Sequence, residues 1–269
     1  MKIFFNKKRL IKEIQNTKDL GFVPTMGSIH KGHLSLIKKS KKLSSKTIVS
    51  IFVNKPQFNN KNDFKKYPRS IKKDINLLKK IKINYLYLPS AKEIYPHGRS
   101  KKIKISKWKK ILCGKNRKGH FEAVVDVVDR FIKIIKPDKI YFGEKDFQQF
   151  AIIREFIIKN KIKTKPIICP TVREKNGIAF SSRNFLLKKK EKIIASSVCK
   201  IINKNKSKII KNTFYIKKIK NILMSTGIKK IDYLKVLDVR KILNEKTKKK
   251  KFKIFLAYYI KKVRLIDNF

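Results

Sequence analysis

The segment Pro24-Thr25-Met26-Gly27-Ser28-Ile29-His30-Lys31-Gly32-His33 places two imidazoles three positions apart between glycines. The chain has 4 histidines in all, so two in one short window is a concentrated signal. A strand is expected to end here and a helix to begin. Backbone N–H groups at a helix start lack intrahelical partners and carry partial positive charge, so such a turn suits phosphate. Gly27 and Gly32 let the backbone approach a ligand closely. His30 and His33 can face the same phosphates, where imidazole N–H groups stabilise charge on displaced phosphoryl oxygens. The bland alternative is a loop with two incidental histidines.

Three other groups of residues have types suited to a neighbouring task. Asn54 and Gln57 follow an apolar run, and an amide there can donate to a carboxylate or hydroxyl. Gln149 has the same capacity, although either glutamine could be a surface amide. In Gly143-Glu144-Lys145-Asp146, Lys145 can reach a phosphate as a point charge and Asp146 can cap a helix. Ser181-Ser182-Arg183 offers two hydroxyls and a fixed cation, which suits an anion and equally suits a helix cap. His97 reads as a loop residue, His120 as structural and Trp108 as packing. No His, Cys and carboxylate residues cluster as metal ligands, and no Ser/His/Asp arrangement is recognisable.

These residues need a scaffold. Gly21 to Pro24, Thr47 to Val53, Tyr85 to Leu88 and Lys139 to Phe142 read as strands. Leu34 to Leu43, Ile71 to Ile81, Phe121 to Ile135 and Phe147 to Ile158 have helical spacing. Thr47 to Val53 is apolar throughout, as a strand buried on both faces should be. Alternation of this kind predicts an α/β fold with a Rossmann-like parallel sheet covered on both faces, binding ligands at the carboxyl ends of the strands. After Pro170 the pattern changes. Lys188 to Asn205 and Thr213 to Ser225 read as helices, then Ile231 to Val236, Phe252 to Tyr259 and Val263 to Ile266 as strands. We expect a domain over 1–170 and a smaller α+β domain over 171–269. The basic run from 246 to 251 reads as a solvated loop between two strands.

The chain has 269 residues, of which 72 are Lys or Arg and 18 Asp or Glu, a net charge of +54. Taken alone this suggests a nucleic-acid partner. The lysines are spread along the whole chain rather than gathered in an arm, and Lys, Ile and Asn, all abundant, share A/T-rich codons. Compositional drift therefore accounts for the charge, and no specific nucleic acid is expected. Cys113, Cys169 and Cys199 form no disulfide or metal framework, which fits a reducing, cytoplasmic setting. No apolar run of about 18 residues is present, so no membrane span is expected.

The H-x-G-H turn resembles that of class I aminoacyl-tRNA synthetases and several adenylyltransferases, and by itself implies α-phosphate chemistry on ATP. Three later segments narrow this. They are Ser50 to Phe58 with Tyr67-Pro68-Arg69, then Gly119 to Val125 leading to Tyr141 to Gln149, then Pro170 to Arg173 with Gly177 to Asn184. In this order they resemble the pantothenate synthetase (pantoate–β-alanine ligase) family, densely from about residue 20 to 190 and again at Arg264 to Asn268. The resemblance implies that ATP lies on Met26, Gly27, Ser28, Ile29, His30, Lys31, Gly32 and His33. Further ATP contacts are implied for Gly143, Glu144, Lys145 and Asp146, and for Val172, Phe180, Ser181, Ser182 and Arg183. Pantoate and β-alanine would meet Gln57, Gln149 and Asn54. His33, His30, Lys145 and Arg183 would be the catalytic groups. It further implies pantoyl adenylate formation, magnesium carried on the ATP phosphates, and a homodimer. The family usually has Asn-Pro-x-Gln where this chain has Asn54-Lys55-Pro56-Gln57, Lys118 stands for a proline and Ala123 for a glycine. These departures remove no reacting group, but the moved proline puts the pose of Gln57 in question. Another H-x-G-H enzyme would leave the later segments unexplained.

Overall fold

A computed structural model describes the chain except residues 101, 102, 106, 213, 246, 248 and 249. Six parallel strands form one sheet: β1 (Lys2–Phe4), β2 (Leu20–Thr25), β3 (Lys46–Ile51), β4 (Tyr85–Tyr87), β5 (Lys139–Gly143) and β6 (Lys165–Cys169). Their spatial order is β1-β4-β3-β2-β5-β6. Consecutive residues of the central strands serve opposite faces, as the two-residue period of a strand requires. Phe22, Ile48, Tyr87 and Ile140 join the core under the helices Lys7–Ile14, His120–Ile135 and Phe147–Lys159. Their neighbours Val23, Val49, Leu86 and Tyr141 join the opposite core, under Lys31–Leu43 and Ile71–Lys80. This is the expected α/β sheet with both faces covered.

The strand order reverses at β2, which lies between β3 and β5. Pairing of β2 with β5 ends at Phe22 and Ile140, whereas β2 stays in register with β3 to Thr25. Pro24, which cannot donate to a ladder, sits where β2 and β5 have already parted. The parting opens a crevice at the carboxyl ends, the place where such sheets bind ligands.

A second, antiparallel sheet contains β7 (Lys230–Asp238), β8 (Phe252–Ile260) and β9 (Val263–Asn268). Strand β8 is apolar on both faces. Ile254, Leu256, Tyr258 and Ile260 pack with the helices Lys189–Lys204 and Tyr215–Met224, while Phe255 and Ala257 enter the core of the first sheet. The carboxyl-terminal sheet is thus wedged between its own helices and the parallel-sheet unit.

Several elements depart from the sequence expectation. Strand β1, the helix Lys7–Ile14 and strand β6 were not anticipated. Strand β1 has 3 residues, too few to show a period. Strand β6 carries Pro166, a residue that argues against a central strand; β6 lies at the sheet edge, where proline is tolerated. Strand β3 ends at Ile51 rather than Val53. A short helix, Val239–Leu243, opens the connection from β7 to β8. The basic run expected there falls in part outside the described residues, as does Thr213 of an expected helix.

Candidate active site

The turn after β2 is built before any ligand arrives. Gly27 has φ +79° and Ser28 has φ +53°, so the backbone runs left-handed twice before the helix Lys31–Leu43 begins. Gly27 N–H donates to Thr25 Oγ1 at 3.1 Å. Ser28 and Ile29 N–H donate to the two carboxylate oxygens of Asp74, each at 2.7 Å. The expectation that this turn offers open N–H groups to phosphate is therefore corrected for Gly27, Ser28 and Ile29. A buried carboxylate and a hydroxyl already hold them. Burial raises the Asp74 carboxyl, and the two N–H bonds oppose that rise.

His30 caps the helix, with Nδ1 accepting from Gly32 N–H at 3.1 Å, so its neutral ring carries the proton on Nε2. A Cβ on Gly32 would meet the His30 ring at 2.9 Å, which explains the glycine between the histidines. The two rings stack with centroids 3.9 Å apart and an interplanar angle of 25°. Phe180 lies beyond His30, centroid to centroid 6.1 Å, and Lys31 Nζ reaches over that ring. Burial, then Lys145, push the His30 imidazole down to about 4. Burial, then His30 and Lys145, push His33 well below its ordinary value. Both rings are uncharged near neutrality. Among the described residues, His33 Nδ1 is buried without a hydrogen-bond partner.

A cavity of about 280 Å³ lies over this turn. Met26, His30, Gly32 and His33 line one side. Gly143, Lys145, Asp146 and Gln149 line a second, where β5 gives way to the helix Phe147–Lys159. Val172, Ser181, Ser182 and Arg183 line a third, and Asn54 and Gln57 a fourth. Of the expected nucleotide residues, Gly27, Ser28, Ile29, Lys31, Glu144 and Phe180 are not part of this lining. Glu144 instead pairs with Lys253 at 2.7 Å.

The walls divide into groups that face the cavity and groups that brace it. Asn54 is braced: Nδ2 donates to Gln57 Oε1 at 3.1 Å and Ala123 O at 3.2 Å, while Oδ1 accepts from Tyr95 at 2.8 Å. Both Nδ2 hydrogens are taken, so Asn54 orients Gln57, and Oδ1 alone keeps an acceptor site. Among the described residues, Gln57 Nε2 meets only the Met26 sulfur, at 3.1 Å, and so keeps one donor hydrogen. Pro56 falls in the first turn of a 3₁₀ segment, Lys55–Gln57, where no backbone donor is required. The moved proline therefore leaves Gln57 on the cavity wall. His120 Nδ1 donates to Gln57 O at 2.8 Å, and Arg117 donates to the same oxygen at 3.0 Å and to His120 Nε2 at 2.9 Å. His120 and Arg117 thus brace the Gln57 backbone at the cavity wall. Gln148 is spent on backbone groups at Trp108, Ile111 and Cys113, leaving its neighbour Gln149 to face the cavity.

The cationic wall is paired. Lys145 Nζ meets Asp146 Oδ1 at 3.1 Å. Asp146 occupies the helix cap position but makes no side-chain cap bond, which corrects that expectation. Arg183 meets Asp63 at 2.7 Å and lies over the Tyr67 ring. Burial works against its charge, but the Asp63 carboxylate more than compensates. Ser181 caps the 3₁₀ turn by accepting from Arg183 N–H at 3.3 Å, and Ser182 Oγ lies 3.4 Å from Ser28 O. Asn268 of β9 donates to the carbonyls of Glu144 at 2.7 Å and Lys145 at 3.1 Å, tying the second sheet to the turn after β5. Asp267 grips Arg173 with both oxygens, at 2.6 and 2.9 Å, and so holds the hairpin carrying Val172 and Phe180. Among the described residues no three His, Cys or carboxylate groups gather as a cation site.

Asp63, Tyr67, Asp74, Arg117 and Asn268 were not anticipated individually. A signal existed for Asp74. It lies four positions before the buried Leu78, so an acid sits on an apolar helix face in a chain with 18 acids in total.

Residues 3–269 match the family model described as pantoate-beta-alanine ligase. The pantothenate synthetase of Fervidobacterium nodosum is 40% identical over 265 residues, covering 97% of this chain and 95% of that protein. The crystal structure of the pantoate-beta-alanine ligase of Francisella tularensis, complexed with beta-gamma ATP and beta-alanine, superposes with a TM-score of 0.89 at 39% identity, over 100% of this chain and 97% of that one. The enzyme of Thermus thermophilus superposes with a TM-score of 0.91 at 28% identity, over 100% and 99% of the two chains. With a matched family model over nearly its whole length and relatives at this identity, the chain belongs to the pantoate–β-alanine ligase family.

Proposed function

We propose that this chain condenses pantoate with β-alanine at the expense of ATP, in two steps at the cavity above the β2 and β5 turns. A pantoate carboxylate oxygen attacks the α-phosphorus of ATP, the bond to the bridging oxygen breaks, and pyrophosphate leaves. The neutral amine of β-alanine then attacks the acyl carbon of pantoyl adenylate. The amine loses a proton, AMP leaves, and pantothenate remains. The observation that carries the reading is the convergence of His30, His33, Lys145 and Arg183 on one cavity with the two amides Gln57 and Gln149.

The residues divide the work by charge. His30 offers an Nε2–H donor whose neutral ring attracts oxygen without a full ion pair. With both imidazoles uncharged near neutrality, they act as hydrogen-bond donors to phosphoryl oxygen rather than as a store of protons. Lys145 and Arg183 supply full positive charge. Each holds a carboxylate partner, Asp146 or Asp63, that the phosphates would displace or share. Ser181, Ser182 and the turn 143–146 complete the nucleotide site, with the Val172 backbone near the base. Gln57 and Gln149 orient pantoate. Magnesium would be held by triphosphate oxygens, since no protein cage exists among the described residues and this ion commonly binds through substrate phosphates.

A homodimer and a cytoplasmic location are part of the same proposal, on the strength of the family resemblance and of three buried free cysteines. No helix among the described residues is long and apolar enough to cross a membrane.

The test is AMP release by purified protein given ATP and magnesium, with pantoate and β-alanine withheld in turn. AMP and pantothenate are expected only when both acids are present. AMP release that ignores pantoate would sink the reading.

A further inference from the structure

We propose that Asp74 is a positioning residue for the adenylation step: from outside the cavity lining, its carboxylate sets the backbone of the turn that carries His30 and His33. The inference rests on the reading that these two imidazoles meet the triphosphate.

Asp74 lies in the first turn of the helix Ile71–Lys80 and is 4% exposed. No Lys or Arg among the described residues forms an ion pair with it. Its two oxygens instead each take one N–H, from Ser28 and from Ile29, at 2.7 Å. Bonds of this length to a carboxylate are charge-assisted and stronger than neutral ones. The N terminus of its own helix adds further favourable potential.

The receiving backbone needs such a hold. Ser28 is not glycine, yet φ is +53°, and a side chain in that region persists only where its surroundings fix it. Just before it, Gly27 has φ +79°, and a Cβ there would press on Asp74 Oδ2 and Ile51 Cγ2, each at 3.0 Å. The carboxylate therefore packs on the turn as well as bonding to it. Ile29 is joined directly to His30, whose ring caps the helix and stacks on His33. Asp74 thus fixes a chain of contacts that ends at the two imidazoles. Buried and outside the cavity lining, it acts on the turn and not on substrate.

The two half-reactions separate this role from a general loss of structure. Pantoate-dependent exchange of labelled pyrophosphate into ATP reads the first step. AMP release from supplied pantoyl adenylate and β-alanine reads the second, which does not break the bond to pyrophosphate. Asp74→Asn keeps the size of the side chain but turns an NH₂ toward one of the two N–H groups. Exchange is expected to fall about a hundredfold, the scale of a misplacement of ~1 Å at a reacting centre. The second step should stay at the wild-type rate. Unchanged exchange overturns the inference, and so does an equal fall in both steps. A second measurement needs no variant: amide hydrogen exchange at Ser28 and Ile29 in the intact, ligand-free protein. Strong protection is expected. Protection that appears only with ATP would mean that phosphate takes these N–H groups, and the inference fails. Absence of pantoate-dependent exchange in the wild-type protein would instead defeat the functional reading itself.

Discussion

The two turns that face each other across the crevice solve one problem in opposite ways. The turn after β2 is held from within the parallel-sheet unit, by Asp74 and Thr25, and presents two uncharged rings. The turn after β5 is held from outside that unit, by Asn268 of the last strand, and presents a charged lysine. The first is rigid because its backbone donors are already used. The second has its carbonyls tied to the second sheet and its cation paired with the adjacent Asp146. Directional hydrogen bonding belongs to the first turn and full charge to the second. Asn268 gives the carboxyl-terminal sheet a direct hold on the second turn.

The largest effect should come from the first turn. His33→Ala removes a donor at the point where phosphoryl charge develops, and adenylate formation should fall by about 10²–10³-fold. Pantoate binding, measured by calorimetry, should persist, because the two glutamines remain. Undiminished turnover would remove His33 from the mechanism and erase the contrast. Lys145→Met keeps the aliphatic length and deletes the charge of the second turn. Its loss in kcat/KM for ATP should be about ten- to a hundredfold, the scale of ~1.5–3 kcal/mol for a charged hydrogen bond. Raised salt should weaken the wild-type and leave Lys145→Met less affected. Equal salt sensitivity in both would show that charge at the second turn is not what the ligand feels.

The sequence made the chemistry legible and left much of the support hidden. Gly27, Gly32 and the paired histidines announce themselves by residue type and spacing. So does the parallel sheet, because apolar runs such as Ile48-Val49-Ser50-Ile51 must be buried on both faces. Supporting contacts are long-range and have no local period. Asp74 is 46 positions from Ser28 and Asn268 is 124 positions from Glu144, so although the helix face hints that Asp74 is buried, nothing nearby names either residue's partner. Asn54 shows the same limit from the other side. Its type and place suggest a ligand contact, and only the fold reveals that Ala123 and Gln57 take both its donor hydrogens while Tyr95 donates to its oxygen. Strands β1 and β6 escaped because a short strand and a proline-bearing edge strand leave little pattern.

A smaller effect tests whether the second sheet supports the second turn. Asn268→Ala frees the carbonyls of Glu144 and Lys145 while leaving every cavity residue in place. The freed carbonyls can turn to water, so the loss should be nearer that of one neutral hydrogen bond, ~1 kcal/mol, and KM for ATP should rise about fivefold with kcat less affected. An equal change in KM for ATP and for β-alanine would show that the clamp serves the whole cavity and not the turn after β5.

The smallest effect concerns stability and singles out the first turn. His30 has its ordinary value near 6.5 in the unfolded chain and about 4 in the folded protein, chiefly through burial. Between these values the unfolded chain binds a proton that the folded chain refuses. Falling pH therefore favours unfolding across this window, and stability is fully retained only above about pH 6.5. His33 and His120, held low by burial, add to the same slope. No histidine lies in the turn after β5, so it adds no histidine slope there. His30→Gln should lose less stability than wild type when urea midpoints are followed from pH 7 to pH 4.5. Parallel pH curves for the two proteins would mean that His30 is readily protonated in the folded state. The first turn would then be a charged site like the second, and the division between uncharged donors and full charge would fail.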